Sequence, residues 1–217
     1  MSKPEPDDIG IIRILEPATP SSFRLICFPE ATSSTSYYLS LSELLLPTVE
    51  VLAIQYPPGH GEDGDREITY HPELADRIFD ALGEWTDRPF ALFGHRAGAY
   101  LAFRVAERLE RETQTALLTL FVSGSTAHGA GPTLGPPTLC CRIAALAGDR
   151  DPQVPLRGVR AWRRCTSGRF DLEVFPGSRD GYLASSRREV VNLVHDQLLS
   201  LSGPDTEGEA GTDDKGV

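Results

Sequence analysis

No run of apolar residues in this chain approaches the length of a membrane span, and Met1–Asp8 is polar and acidic, without the apolar core of a secretory signal. A cytoplasmic protein is expected. There is no basic patch with interleaved aromatics, and a net charge of −10 argues against nucleic acid or an anionic membrane as a partner. The four cysteines, Cys27, Cys140, Cys141 and Cys165, have neither C-x-x-C spacing nor accompanying histidines, so no metal site is expected. Buried free thiols are expected instead. Internal repeats are absent, and 217 residues, 40% hydrophobic and 24% charged, suit one compact core rather than two. Gly203–Val217 has almost no apolar residue and predicts a disordered acidic tail. The expected organisation is an N-terminal segment over 1–19, one domain over 20–202 and the tail over 203–217.

What is present is an alternation of strand and helix patterns. Strands are predicted over 11–15, 24–28, 49–54, 90–93, 117–122, 143–147 and 171–175. Helices are predicted over 37–46, 72–85, 99–109, 155–165 and 185–201, with Pro72 suited to a first turn. This is the pattern of a doubly wound, mostly parallel α/β sheet, in which ligands bind outside the carboxyl ends of the strands. The loops after Phe28, Phe93, Ala147 and Phe175 then converge on one cleft.

Phe93-Gly94-His95-Arg96-Ala97-Gly98-Ala99 carries the most specific signal. Glycines two residues before and two after a central position are what a sharp strand-to-helix turn needs, because side chains there would collide. In a G-x-S-x-G nucleophile elbow the centre is serine; here it is Arg96. A guanidinium stays protonated, with a pKa above about 12, so it neither attacks a carbonyl nor takes a proton. At the amino end of a helix it is also disfavoured, by a few tenths to about 1 kcal/mol. An anion is expected to offset it, either an internal carboxylate or the anionic group of a ligand. No other serine is flanked by glycines two residues away on both sides.

Several further segments occur in one family's order: Cys27-Phe28-Pro29-Glu30-Ala31, Val51–Pro57, Arg88–His95, Leu120–Gly124, Ala147–Pro152, Trp162–Phe170 and Val174–Gly177. Over residues 20 to 198 the chain resembles the stand-alone type II thioesterases of polyketide and nonribosomal-peptide assembly lines, which have the α/β-hydrolase fold. The resemblance implies a serine nucleophile, a histidine base and an aspartate that orients the base. The aspartate matches Asp151, the serine position is Arg96, and after Pro176-Gly177 the chain reads Ser178-Arg179-Asp180-Gly181 with no histidine. His195 falls inside the last helical pattern. The family's helical lid is expected to be missing as well, because only the glycine- and proline-rich Ser125–Arg142 fills its interval.

The resemblance implies no cofactor. It implies an acyl or polyketide substrate, free or bound to a carrier protein, with a pathway enzyme as another possible partner. Arg96, Asp151, Arg179 and Asp180 fall around the old triad locus as candidate catalytic groups. The backbone N–H groups of Ala31 and Ala97 are the expected oxyanion donors, with Glu30, Tyr38 and His60 as candidate cleft-lining residues. Losing any triad member costs about four to six powers of ten in rate, so ordinary acyl-enzyme hydrolysis is not expected. A non-hydrolytic step is expected first (cyclisation, elimination, epimerisation or decarboxylation), then a non-catalytic binding module, then residual hydrolysis. The four charges filling the locus as plain salt bridges is the structural alternative.

Overall fold

The structure is a computed structural model and describes residues 9–30, 35–57, 72–127, 137–178 and 181–200. Seven strands form one sheet: β1 (Gly10–Arg13), β2 (Phe23–Phe28), β3 (Val49–Gln55), β4 (Phe90–His95), β5 (Leu117–Ser123), β6 (Arg142–Gly148) and β7 (Phe170–Phe175). Their order is β1-β3-β2-β4-β5-β6-β7, parallel throughout except for β1, which runs antiparallel to β3. Residues 10–13, expected in a segment ahead of the domain, thus supply an edge strand of the sheet.

β2 and β4 are apolar or small at almost every position and buried throughout, as strands covered on both faces must be. Alternation of side chains then divides each strand between two cores. Ile26, Phe28, Leu92 and Val122 face one layer, with α2 (Pro72–Ala81), α3 (Ala97–Glu112), the four-residue α4 (Leu156–Val159) and a 3-10 helix over Arg160–Cys165. Leu25, Cys27, Phe93 and Phe121 face the other, with α1 (Thr35–Leu45), α5 (Gly181–Ser185) and α6 (Arg187–Ser200). In the first layer Phe103 of α3 meets Trp162 edge to face, centroids 5.5 Å apart.

Two helical predictions are corrected at their breaks. The pattern over 72–85 ends as an α-helix at Ala81, and Gly83–Trp85 is a 3-10 turn. The pattern over 155–165 is one α-turn that tightens into the 3-10 helix, since Gly158 and Val159 are poor helix formers. The last pattern, predicted over 185–201, is α6, and the separate short helix α5 ends just ahead of it at Ser185. The acidic tail, with Ala31, His60, Arg179, Asp180 and residues 128–136, lies outside the described residues.

Candidate functional site

The turn between β4 and α3 has the geometry its glycines require. A Cβ on Gly94 would lie 2.3 Å from the Ala99 Cα, and one on Gly98 would lie 2.1 Å from the Phe28 carbonyl oxygen. Neither contact is physically possible, so the chain passes only with hydrogen there. Between them Arg96 sits at φ 56° and ψ −116°, and among the described residues it alone has a positive φ without being glycine. A side chain held in this sparsely populated region is strained by about 1–3 kcal/mol, and such strain clusters at functional sites. The Arg96 amide donates to the Ser123 carbonyl at 2.8 Å, which fixes the turn to β5.

Arg96 finds its anion inside the protein. Its Nε lies 3.3 Å from Glu30 Oε1, with the side chains 7% and 17% exposed. Register explains the meeting. Phe28 pairs with Gly94 across β2 and β4, so two residues further on Glu30 stands opposite Arg96. Glu30, expected to line the cleft, thus has its carboxylate beside the Arg96 guanidinium. Ala97 opens α3, and amides of a first helical turn have no intrahelical acceptor, which suits the oxyanion role expected of its N–H. Pro29, beside Glu30, accepts a hydrogen bond from Tyr56 Oη at 3.0 Å, which pins the β2 loop.

Beneath the elbow lies a polar chain that sequence reasoning did not single out as a unit. His95 Nδ1 is 3.0 Å from Ser123 Oγ, Ser123 Oγ is 2.5 Å from Tyr182 Oη, and Tyr182 donates to the Leu146 carbonyl at 3.3 Å. The three side chains are buried. The chain reaches a backbone carbonyl and ties β4, β5, β6 and α5 together. His95 is buried and enters this chain through Nδ1.

The acid loop is stitched to the loop after β7. Asp149 Oδ1 accepts the Gly177 amide at 2.8 Å, and the Arg150 amide donates to the Gly177 carbonyl at 3.0 Å. Asp151 is 8% exposed, and its Oδ1 accepts the Gln153 amide at 2.9 Å, an Asx turn that fixes the carboxylate. Arg179 and Asp180, next along the β7 loop, are outside the described residues, as are Ala31 and His60. Tyr38 is a correction. Expected on the cleft wall, it is 3% exposed and packed in the core under α1, and that burial pushes its hydroxyl well above the ordinary pKa.

The described residues on either side of 128–136 are tied to α4 and to the 3-10 helix that follows it. Ala127 donates to the Gly158 carbonyl at 3.2 Å, and Trp162 Nε1 donates to the Ser125 carbonyl at 3.1 Å. On the return, Leu139 donates to the Cys165 carbonyl at 3.0 Å.

Comparison with known proteins agrees with this geometry. The thioesterase domain family matches residues 23–133. Thioesterase PikA5 of Streptomyces venezuelae is 32% identical over 249 aligned positions, which take in 90% of this chain and 88% of that one. The solved structure of the type II thioesterase BorB, from the borrelidin biosynthetic cluster, is 29% identical with a TM-score of 0.73. It is covered over 97% of its length and covers 87% of this chain. That of the RedJ thioesterase, from the prodiginine pathway of Streptomyces coelicolor, has a TM-score of 0.70 at 27% identity, over 86% of this chain and 95% of that one. With a family match across half its length and a relative above 30% identity over about nine tenths of both chains, the protein belongs to the thioesterase domain family and has its α/β-hydrolase fold.

Proposed function

We propose that this chain serves polyketide or nonribosomal-peptide biosynthesis and acts on acyl or polyketide intermediates, carrier-bound ones included, without an acyl-enzyme step. The observation that carries the reading is the Arg96–Glu30 ion pair, which occupies the strained position from which a nucleophile would attack. Neither group forms an ester with an acyl chain that survives in place of serine chemistry. The work assigned to the cleft is proton transfer: cyclisation, elimination, epimerisation or decarboxylation. Asp151 supports it as base, since among the described residues only the Gln153 amide hydrogen-bonds its carboxylate. Ala97 N–H supports it as an oxyanion donor, and Arg179 and Asp180 complete the proposed charged set.

Loss of the lid belongs to the same reading. The alignment with the Streptomyces venezuelae relative runs over 249 positions, more than the 217 residues of this chain, so that relative carries positions with no counterpart here. Ser125, Ala127 and Leu139, on either side of 128–136, are pinned to α4 and the 3-10 helix after it. A second reading, a module that binds a carrier-linked intermediate or a pathway enzyme without turnover, is favoured by the pairing of Arg96 with Glu30. That pairing satisfies both charges internally.

The test combines a fluorophosphonate probe, a generic acyl thioester and the pathway intermediate. The expected result is no covalent adduct, no thioester hydrolysis, and conversion of the intermediate that Asp151→Asn abolishes while the variant stays folded. Saturable binding without conversion selects the second reading. A probe adduct on any side chain, or hydrolysis that depends on Asp151, overturns the proposal.

A further inference from the structure

β7 closes the sheet on one side, and among the described residues no strand pairs with its outer edge. The carbonyls of Arg169 and Phe175 accept the amides of Ile143 and Asp149, each at 2.9 Å, so the odd-numbered residues turn their backbone groups toward β6. Phe170, Leu172 and Val174 therefore turn an N–H and a C=O outward from each residue. Edges are ordinarily blunted by lysine, proline or a bulge. β7 has none of these. Its side chains sort by face: Phe170 and Leu172 are half-buried against the first core with Val174 43% exposed beyond them, while Asp171 and Glu173 share the face on which Phe175 joins the second core. Charge on that second face is unbalanced. Arg169 Nε donates to Asp171 Oδ1 at 2.9 Å and Arg142 Nε lies 3.5 Å from Oδ2, so two guanidinium groups share one carboxylate. Arg142 Nε and Asp171 Oδ2 are both buried without a hydrogen bond. Glu173 is exposed and enters no ion pair among the described residues, since Arg169 stands four residues back along the strand, about 13 Å away.

An edge that pairs with its own copy about a two-fold axis does so antiparallel, and the position of the axis decides which residues meet. With the axis at Leu172, Leu172 faces its copy and Phe170 faces the copy's Val174. Every outward backbone group is then hydrogen-bonded, and one face becomes a continuous apolar row. On the other face Glu173 stands opposite the copy's Asp171, with the copy's Arg169 diagonal to it and within reach of a long side chain. Each group of Arg142, Asp171 and Arg169 thus receives the second carboxylate it lacks. Other positions of the axis do worse. At Asp171 or at Glu173 it sets like carboxylates face to face, and it puts Val174 opposite Gly168 or Phe170 opposite Pro176, which has no N–H to give. A strand of another protein would answer the backbone groups alone, whereas the copy brings the apolar row and the missing carboxylate with it.

We propose that two copies of this chain associate through β7, antiparallel about a two-fold axis at Leu172, into one continuous sheet. The proposal stands apart from the chemistry at the elbow, because its test reads association alone.

Sedimentation velocity on the full chain, over about 1–100 µM, reads the association. The intact chain passes from monomer to dimer as concentration rises. Val174→Pro removes an outward N–H and no bond to β6, so dimerisation weakens at least about tenfold while the melting temperature holds. Should that variant not fold, Val174→Lys, a change at an exposed position, carries the test with the same expected loss. Register is read by cysteine pairing in a Cys140→Ser background. Leu172→Cys oxidises to a cross-linked dimer, because residues facing each other in a hydrogen-bonded pair stand about 5.5 Å apart and a disulfide spans that distance. Val174→Cys does not cross-link, because the two copies of residue 174 are offset by four residues of strand, about 13 Å. A chain that stays monomeric over the whole range, a dimer of unchanged affinity in the folded Val174 variant, or cross-linking of Val174→Cys as readily as Leu172→Cys would each overturn the proposal.

Discussion

The sheet buries an arginine at each end, and the two are held in different ways. At the amino end Arg24 on β2 donates to Glu50 Oε2 at 2.9 Å and to the Trp85 carbonyl at 2.9 Å, pairs with Asp87, and lies over the Trp85 ring at 5.2 Å. Arg13 reaches the same Glu50 from β1. At the carboxyl end Arg96 has a longer contact with Glu30, from a strained backbone that two glycines permit. Side-chain charge organises the amino end; close backbone approach organises the carboxyl end, and charge is laid over it. One end is built for stability, while the other keeps the shape of a reactive turn around a group that cannot react as a nucleophile.

The largest expected effect breaks the carboxyl end through its backbone. Gly98→Ala puts a methyl carbon where 2.1 Å separates it from the Phe28 carbonyl, so β2 and α3 must part. A loss of about 4 kcal/mol or more is expected in chemical denaturation, or failure to give soluble protein. A variant within about 1 kcal/mol of the parent would show that close approach does not fix this end.

The counterpart at the amino end is Glu50→Gln, which leaves Arg24 and Arg13 without their shared carboxylate and is expected to cost about 3 kcal/mol. Burial alone would push the Glu50 carboxyl up. The hydrogen bonds from Arg24 and Arg13 and the charges of both guanidinium groups together outweigh that and hold it below its ordinary 4.5. A depressed pKa adds stability that is complete above 4.5 and is lost as pH falls through the folded value. Parent stability should therefore drop on acidification below about pH 4.5, more steeply than that of Glu50→Gln. Parallel acid limbs in the two proteins would contradict the assignment. Glu30→Gln, the matching change at the carboxyl end, is expected to cost only about 1 kcal/mol, because its 3.3 Å contact with Arg96 is longer and more exposed than those of Glu50. If it costs as much as Glu50→Gln, the contrast between the ends fails.

How much of this was legible in the sequence follows from the same contrast. The elbow could be read because a close approach demands glycine at fixed spacing, and Gly94 and Gly98 obey it. Buried strands showed as apolar runs. The partner of Arg96 was open between a ligand and an internal carboxylate, although extending the β2–β4 register from Phe28 and Gly94 leads to Glu30. Register is a tertiary fact, which composition does not carry. Ser123 and Tyr182 were missed for the same reason: a serine and a tyrosine 59 residues apart give no periodic signal, and only the fold brings them to 2.5 Å. Tyr38 misled because a polar loop precedes it, whereas α1 begins at Thr35 and turns its ring into the core.

The smallest effect leaves stability unchanged and reads how tightly each region is closed. Cys27 is fully buried near the carboxyl end of β2, and desolvation pushes its thiol well above the ordinary range. Cys141 is raised in the same way, and Cys165 is pushed up to about 11, burial leading in both. Cys140 alone among the four is exposed. A thiolate is the reactive form, so an aromatic disulfide reagent at neutral pH should modify one thiol quickly and the other three only at the rate of opening. Mass mapping should place the fast adduct on Cys140. Fast labelling of Cys27 in the parent protein would mean that the β2 loop opens without global unfolding, and the carboxyl end would then be the looser one. Slow labelling in the parent, with partial acceleration in a soluble Gly98→Ala protein, would show that the glycine contact keeps that end shut.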